Sequence, residues 1–337
     1  MIVLGIESSC DETACAIVND ERIILSNIVL SQLDEHRPYG GIVPEIAARA
    51  HLNYLDHLII EALARSEIDL DQIDVIAATG GPGLIGGVLV GIVTAKAIAM
   101  VTEKPFVAVN HLEGHALSAR LTNDLNFPYL LLLISGGHSQ LLIVEGVGCY
   151  RCIGTTIDDA AGEVFDKTAR MLNLSNIGGL AIQQIAEFGN SSRFFLPRPM
   201  KGRSGCDFSF SGLKNAVRLL IADHEPLSIK DCNDIAASFQ FAMTETIVDR
   251  TKMAMIIFSK MYDEPRTLVI AGGVAANVQL RRTLANIAEQ VGFRLIAPPF
   301  NLCTDNAAMI AWAGLEQFCL NKRNDMDFIP RSRWSLD

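Results

Sequence analysis

The sequence predicts a duplicated α/β protein of two lobes, and two observations carry that prediction. A strand, a small polar tip and a returning strand occur over residues 2–18 and recur over 129–145. After each, segments of helical and strand periodicity alternate, as in a sheet covered by helices. The 337 residues, 50% of them hydrophobic and 20% charged, supply apolar material for two cores.

The first apolar run meets a turn carrying Ser8, Ser9, Asp11, Glu12 and Thr13, and Ala14–Val18 resumes the strand pattern. Hydroxyls and backbone N–H groups at such a tip can hold a phosphate, and an acidic surface turn reads the same way. Ile23–Leu30 is expected as a third strand. Pro44 then opens a helix whose apolar stripe runs through Ile46, Ala47, Ala50, Leu55, Leu58, Ile59 and Leu63. His51 and His57 on that helix read as surface or interface residues.

From Val75 to Ala95 no charge occurs, which imitates a membrane span. Pro82 and the glycines at 80, 81, 83, 86, 87 and 91 break it into a strand (Val75–Thr79), a turn and a helix over 84–101. It reads as a core element, not a membrane anchor. Gly87-x-x-x-Gly91 admits close approach of another backbone, and internal helix packing and a dimer seam satisfy it equally.

Phe106–Val109 is a strand leading into His111-Leu112-Glu113-Gly114-His115. On a helix the two imidazoles lie roughly 40° apart on one face, at metal-pair spacing. Glu113 falls about 200° round from His111. In an H-E-x-x-H peptidase the acid directly follows the first histidine, so that reading is disfavoured. Far downstream, Asp305 in Cys303–Met309 is a candidate third ligand, two histidines and a carboxylate being a recognised set. At a helix start it could equally be an N-cap.

In the second half the polar tip is Ser135-Gly136-Gly137-His138. Asp158, Asp159, Glu163 and Asp166 crowd a helix start, either as helix-start chemistry or as ligands. Gly178-Gly179 marks a turn. Residues 193–218 carry Arg193, Arg198, Lys201, Arg203, Lys214 and Arg218 against Asp207 alone, interleaved with four phenylalanines, a pattern suited to a phosphate backbone. Thr267–Ile270, Gly272-Gly273 and a helix from near Val278 make a strand–turn–helix where a nucleotide can meet a helix N-terminus. Leu295–Pro298 is the last expected strand.

A net charge of −10 and a pI near 5.2 argue against wholesale coating of nucleic acid without excluding binding, since a local basic face can still hold phosphate. The eight cysteines form no disulfide framework, and Cys149-x-x-Cys152 lacks a partner pair. The N-terminus shows no basic region or cleavage site, so a reducing cytoplasm is the expected address.

Taken together, Glu7–Thr13, Gly81-Pro82-Gly83-Leu84, His111–His115, Ser135–His138, Asp158–Lys167, Phe208–Lys214, Gly272–Asn277 and Cys303–Ala308 resemble, in order, the tRNA N6-adenosine threonylcarbamoyltransferases of bacteria. The resemblance implies the fold of the actin, sugar-kinase and heat-shock ATPase superfamily. It also implies transfer of threonylcarbamoyl from threonylcarbamoyl-AMP to N6 of the adenosine 3′ of the anticodon, in tRNAs reading codons that begin with A, with release of AMP.

Carried over by position, His111, His115 and Asp305 would bind one divalent metal ion, iron or else zinc. Leu133, Ile134, Ser135, Gly136, Gly137, Asp166, Gly179 and Asn277 would line the adenylate site. Asp11 or Glu12 would take the proton from N6, and Arg198, Lys201 and Arg203 would meet tRNA phosphates. The family's partners would be a paralogous actin-like-fold protein (TsaB type), docked on a seam of the helices beginning at Pro44 and Gly86, and a small ATPase (TsaE type). One lobe would comprise residues 1–110 with the tail 318–337, the other 111–317. Where the family usually reads Pro-Gly-Gly-Pro, this chain has Ile177-Gly178-Gly179-Leu180, which keeps both glycines and loses two φ restraints. The loops alone would also suit a kinase or ATPase of the same superfamily, and the basic loop alone a non-enzymatic tRNA scaffold.

Overall fold

The computed structural model describes residues 1–174, 178–264 and 266–336. Ile177, half of the departure just noted, lies outside them. The described chain forms two compact units.

The first unit opens with β1 (Ile2–Glu7), β2 (Glu12–Asn19) and β3 (Ile24–Ser31), an antiparallel meander. A short α1 (Leu33–His36) and the long α2 (Pro44–Ser66) follow, then β4 (Val75–Gly81), α3 (Ile85–Thr102), β5 (Phe106–Asn110) and α4 (His111–Thr122). In the second unit β6 (Tyr129–Ile134), β7 (Ser139–Gly146) and β8 (Cys149–Thr155) lead to α5 (Ala161–Met171), α6 (Gly179–Ala186), α7 (Ser211–His224) and α8 (Ile229–Met261). Next come β9 (Thr267–Ala271), α9 (Val278–Gln290) and β10 (Arg294–Ile296). The chain then returns to the first unit as α10 (Ala307–Cys319) and a C-terminal tail.

The two sheets have the same plan. The first runs β3-β2-β1-β4-β5, and the second, read in the same sense, β8-β7-β6-β9-β10. In each, the first strand pairs antiparallel with the next and parallel with a later one: β1 with β2 and β4, β6 with β7 and β9. The expected duplication is therefore present in strand order and direction.

Alternation along β1 explains how the first unit is layered. Leu4 and Ile6 join Ile17, Leu55, Leu58, Val88, Ile92 and Ala95 in a core under α2 and α3. Gly5, on the other face, lies against α10 so closely that a Cβ there would stand 2.5 Å from the Ala307 carbonyl oxygen. In the second unit Leu130, Leu132 and Ile134 share a core with Val164, Phe165, Phe239, Met243 and Leu284.

The lobe boundary expected after residue 110, with the return at 318, is corrected. The first unit is 1–125, 147–149 and 304–337, and the second 126–146 and 150–303. Helix α4 packs on α10, and α10 packs on β1, β2, β4 and β5, so both helices belong to the first unit. Helix α3 is long and apolar enough to cross a membrane by length and composition. Its Gly87, Val88, Gly91, Ile92, Ala95 and Ala99 are buried, while Ile85, Leu89, Val93 and Met100 are exposed.

Gly87 and Gly91 answer the question of the seam. A Cβ at Gly87 would meet the Ser8 carbonyl oxygen at 2.5 Å and His51 at 2.9 Å, and one at Gly91 would meet Ser8 Oγ at 2.2 Å. The two glycines seat α3 against the chain's own β1–β2 turn, so the motif belongs to internal packing.

Candidate active site

Strand β5 ends at Asn110, whose side chain accepts from the Leu112 amide at 2.9 Å and starts α4 at once with His111. The helical i, i+4 spacing places the His111 and His115 rings 4.8 Å apart, edge to face. Asp305 arrives from the start of α10. The cap there is Asn306, whose side chain accepts from the Met309 amide at 3.0 Å. That frees the Asp305 carboxylate, and its Oδ1 lies 3.1 Å from Nε2 of His115 and 3.5 Å from Nε2 of His111. The three residues offer ligand atoms all within 4.8 Å of one another.

The far side of His111 is equally specified. Its Nδ1 lies 3.0 Å from Glu7 Oε2 and 3.1 Å from Ser9 Oγ. Glu7 is fully buried at the end of β1 and also accepts from Thr79 Oγ1 at 2.5 Å and the Ser9 amide at 2.6 Å. A carboxylate on Nδ1 fixes a histidine as the Nδ1–H tautomer and leaves the Nε2 lone pair for a metal. The donor set of two imidazole nitrogens and a carboxylate oxygen, with this support behind one imidazole, fits a divalent transition metal.

Burial alone would push His111 toward neutrality, yet the carboxylates of Glu7 and Asp305 outweigh it and hold the imidazole well above its ordinary value. Burial works against ionisation of Glu7 and Asp305, but facing His111, and for Asp305 His115 as well, holds both carboxyls below the usual range. Glu12 is pushed the other way, because burial and the charges of Asp305 and Asp11 all oppose its ionisation. Asp11 and Glu12 lie on the turn beside this cluster, half-buried.

That turn is no phosphate cradle of hydroxyls. Ser8 Oγ donates to the Gly87 carbonyl at 2.9 Å, Ser9 Oγ meets His111, and Thr13 Oγ1 lies 2.8 Å from His51 Nδ1. All three serine and threonine side chains are buried and engaged. His51 is corrected from a surface to a core residue. It is fully buried, with Nε2 donating to the Cys10 carbonyl at 3.0 Å, and burial lowers its pKa. Glu113 accepts from the Gly148 amide at 2.8 Å and from Gln317 Nε2 at 2.6 Å, a structural duty away from the histidines.

The second unit gathers the glycine-rich loops. Ser135 and His138 close a turn, with the Ser135 amide donating to the His138 carbonyl at 2.8 Å, and Gly136 and Gly137 face open space. Gly162 backs onto this turn, since a Cβ there would meet the Ser135 carbonyl oxygen at 2.6 Å. Gly272, at φ +91°, comes equally close to the Ile134 carbonyl, at 2.4 Å from its ideal Cβ. Gly178, at φ +105°, stands beside Asp166, and Gly179 opens α6 against Phe165.

Of the expected adenylate residues, Leu133 and Ile134 are fully buried in β6, so only their backbone could serve a ligand. Asn277 caps α9 through the Leu280 amide at 2.9 Å and donates to Gln240 Oε1 at 2.8 Å, which fixes its amide and leaves one N–H and one acceptor site for a ligand. The acidic run has structural duties. Asp158 accepts from the Phe210 and Ser211 amides at 2.8 and 3.2 Å, and Asp159 pairs with Lys214 and Lys167.

The basic loop is largely neutralised. Arg198 and Lys201 both bind Glu245, each at 2.7 Å, and Arg193 pairs with Asp231 at 2.7 Å and Asp234 at 2.8 Å. Arg198 is also wedged near Phe195 and Phe241. Arg203 is exposed.

The sequence places Ser9 at a polar tip, Glu7 in a motif and His51 on a surface, but does not reveal that Glu7 and Ser9 support His111 or that His51 is a core residue holding the turn. A glutamate closing an otherwise apolar strand was the available signal, because a buried carboxylate needs a partner.

A model of the family described as TsaD: tRNA N6-adenosine threonylcarbamoyltransferase matches residues 23–312. A protein of that description from Paramagnetospirillum magneticum is 60% identical over 338 residues, covering 100% of this chain and 97% of the relative. One from Brucella canis is 57% identical over 343 residues, covering 100% and 96%. Among solved structures, HypF from T. kodakarensis superposes with a TM-score of 0.62 at 15% identity, over 95% of this chain and 48% of that one. An activator of 2-hydroxyisocaproyl-CoA dehydratase from Clostridium difficile gives 0.52 at 11% identity, over 96% and 99%. At such identities these two likenesses show the fold alone.

Proposed function

The chain belongs to the tRNA N6-adenosine threonylcarbamoyltransferase family, and from that premise we propose that its donor is threonylcarbamoyl-AMP and its acceptor the adenosine 3′-adjacent to the anticodon, in tRNAs reading codons that begin with A. It is a transferase acting on tRNA. Identity of 60% across the whole chain to a protein of that activity carries the reading. In the reaction N6 forms a bond to the carbamoyl carbon, the bond from that carbon to the adenylate phosphate oxygen breaks, AMP leaves with the electron pair, and N6 gives up a proton.

His111 Nε2, His115 Nε2 and Asp305 Oδ1 would hold one divalent ion, iron or zinc, which when bound supplies Lewis-acid polarisation to the acyl group. Glu7 and Ser9 keep His111 in the orientation and tautomer that such binding needs. The open Gly136-Gly137 turn, the Gly178-Gly179 start of α6 and Asp166 suit a nucleotide's close approach through backbone N–H groups. Asp11 or Glu12 would receive the N6 proton. A carboxyl whose pKa is raised, as that of Glu12 is, is better matched to such work than an ordinary one.

For partners, the exposed apolar face of α3 (Ile85, Leu89, Val93, Met100) with Leu52 and Ile60 of α2 suits a helical partner surface of the TsaB type. A small ATPase of the TsaE type and a cytoplasmic address complete the proposal. Incubation of the protein with its partners, tRNA and threonylcarbamoyl-AMP should yield the modified nucleoside and AMP. Turnover of ATP with no modified nucleoside would instead make it a kinase-like member of the fold.

A further inference from the structure

The C-terminal tail is fastened to the first unit at several points, one of them Asn110, the neighbour of His111. The Arg331 amide donates to the Gly80 carbonyl at 2.8 Å, and the Gly83 amide to the Ser332 carbonyl at 3.3 Å. Asn110, the residue that caps the histidine helix with its oxygen, donates through Nδ2 to the Trp334 carbonyl at 3.2 Å and the Ser335 carbonyl at 3.3 Å. Lys96 Nζ adds a bond of 2.6 Å to the Phe328 carbonyl. The end of β4 is shaped for this tail. At Gly81, φ is +132° and a Cβ would stand 1.9 Å from the Arg331 carbonyl oxygen, while one at Gly80 would meet Phe328 at 2.8 Å and Trp334 at 3.1 Å.

The turn that follows connects the tail to the reacting end of the unit. Gly83 binds Ser332, and the adjoining Leu84 amide donates to the Ser9 carbonyl at 2.7 Å. Consecutive Cα atoms are about 3.8 Å apart, so the tail and the residue whose hydroxyl touches His111 flank a single dipeptide. On this fixed tail Arg331 and Arg333 are exposed. Arg331 stacks near Phe328 and Trp334, at 5.6 and 4.7 Å from their ring centroids. A guanidinium stacked on its face keeps its N–H edge for a planar or tetrahedral anion. No ion pair within 4.0 Å is seen for either arginine among the described residues, in contrast to Arg193, Arg198 and Lys201.

We propose that the C-terminal tail is a phosphate-binding strap, on which Arg331 and Arg333 grip the RNA backbone beside the acceptor adenosine. The inference rests on the chain acting on tRNA and adds where that RNA is held. Asn110 then serves two ends, starting the helix that presents the metal ligands and fixing the strap that positions the RNA.

The test compares wild type with Arg331→Ala/Arg333→Ala, using the full chain in the assembly that supports transfer. Each phosphate contact contributes roughly −0.7 to −0.9 to the slope of log K against log salt. The double variant should flatten the tRNA-binding slope by about 1.4 to 1.8 and raise KM for tRNA more than it lowers kcat. Arg333→Glu alone, at an exposed position, should weaken binding most at low salt and guards against a folding defect in the pair. Lys260→Ala/Arg282→Ala removes the same charge elsewhere and should leave the slope as it was. An unchanged slope in the tail variant, an equal loss in the control, or a loss of AMP affinity with tRNA affinity intact would each overturn the proposal. Failure of wild type to form modified nucleoside would count against the proposed reaction, while the binding slope would still report on the tail.

Discussion

Glu7 Oε2 lies 3.0 Å from Nδ1 of His111, on the opposite side of the ring from Asp305. The pair joins the end of β1 to the start of α4 and decides which imidazole nitrogen faces the ligand set. Glu7→Gln keeps the shape and removes the charge that steadies the Nδ1–H form. Metal affinity should fall by about 10- to 100-fold, the usual cost of losing such an outer partner. Metal titration of the purified variant checks this, and full-strength binding would show that Glu7 is structural only.

If His111 is a ligand, protons and metal would compete for its Nε2. Its folded pKa is raised, so in metal-free protein the imidazolium contributes stability that is fully present below its unfolded value near 6.5 and is lost as pH climbs through the folded value. Metal binding there would release that proton, and affinity should rise with pH until His111 is neutral. The gain in melting temperature on adding zinc should therefore be larger at pH 8.5 than at pH 6.5. Equal gains at both would mean that His111 is not a ligand.

Gly87→Leu should disrupt the first unit itself. The new side chain would have to enter space held by the Ser8 carbonyl and His51, and overpacking of this kind costs about 1–3 kcal/mol or more. Leu89→Asp/Val93→Asp changes only exposed positions on the same helix. It should leave melting unchanged and abolish the complex with a helical partner in sedimentation. If Gly87→Leu melts like wild type, the close approach of α3 to the Ser8 turn is wrong.

His51 ties α2 to the turn that carries Asp11 and Glu12, through Thr13 Oγ1 and the Cys10 carbonyl. It touches neither ligand nor acid, so its role is positioning. His51→Ala should lower kcat for transfer by tenfold or more while metal stoichiometry is retained, and His51→Gln, which keeps a donor, should recover part of it. Loss of kcat with parallel loss of metal would assign His51 to folding instead.

Much of this was legible in the sequence, because periodicity and turn chemistry act locally. The strands at 75, 106, 129 and 267 and the helices from Pro44 and Leu84 fall within a few residues of expectation, and the repeated strand–tip–strand unit announced the duplicated sheets. The histidine pair was legible from helical spacing alone. Legibility failed where one residue type serves two physical ends. Gly87-x-x-x-Gly91 signals close approach without naming the neighbour, and that neighbour proved to be Ser8, remote in sequence. Asp305 and Asn306 compete for one capping role, and only the fold shows that Asn306 takes it. The basic run could not reveal its own neutralisation, since Arg198 and Lys201 sit in a loop and Glu245 lies remote in sequence on α8.

That neutralisation leads to the last prediction. Arg198 and Lys201 share the Glu245 carboxylate, and the two cations hold it below the ordinary range against the cost of partial burial. For either to bind RNA phosphate, its present ion pair must open, and Arg198 must also leave the space beside Phe195 and Phe241. Lys201 and Arg203 are both exposed, but of the three only Arg203 has no ion pair within 4.0 Å among the described residues. Replacing Arg198, Lys201 and Arg203 together by Ala should then flatten the salt dependence of tRNA binding by no more than about one unit, the contribution of a single contact. Arg198→Ala should in addition lower the melting temperature, since it removes a half-buried guanidinium that lies near the Phe195 and Phe241 rings and leaves Glu245 with one partner. A flattening of two to three units with unchanged melting would show that the Glu245 pairs open on binding and that residues 198–203 are themselves an RNA surface.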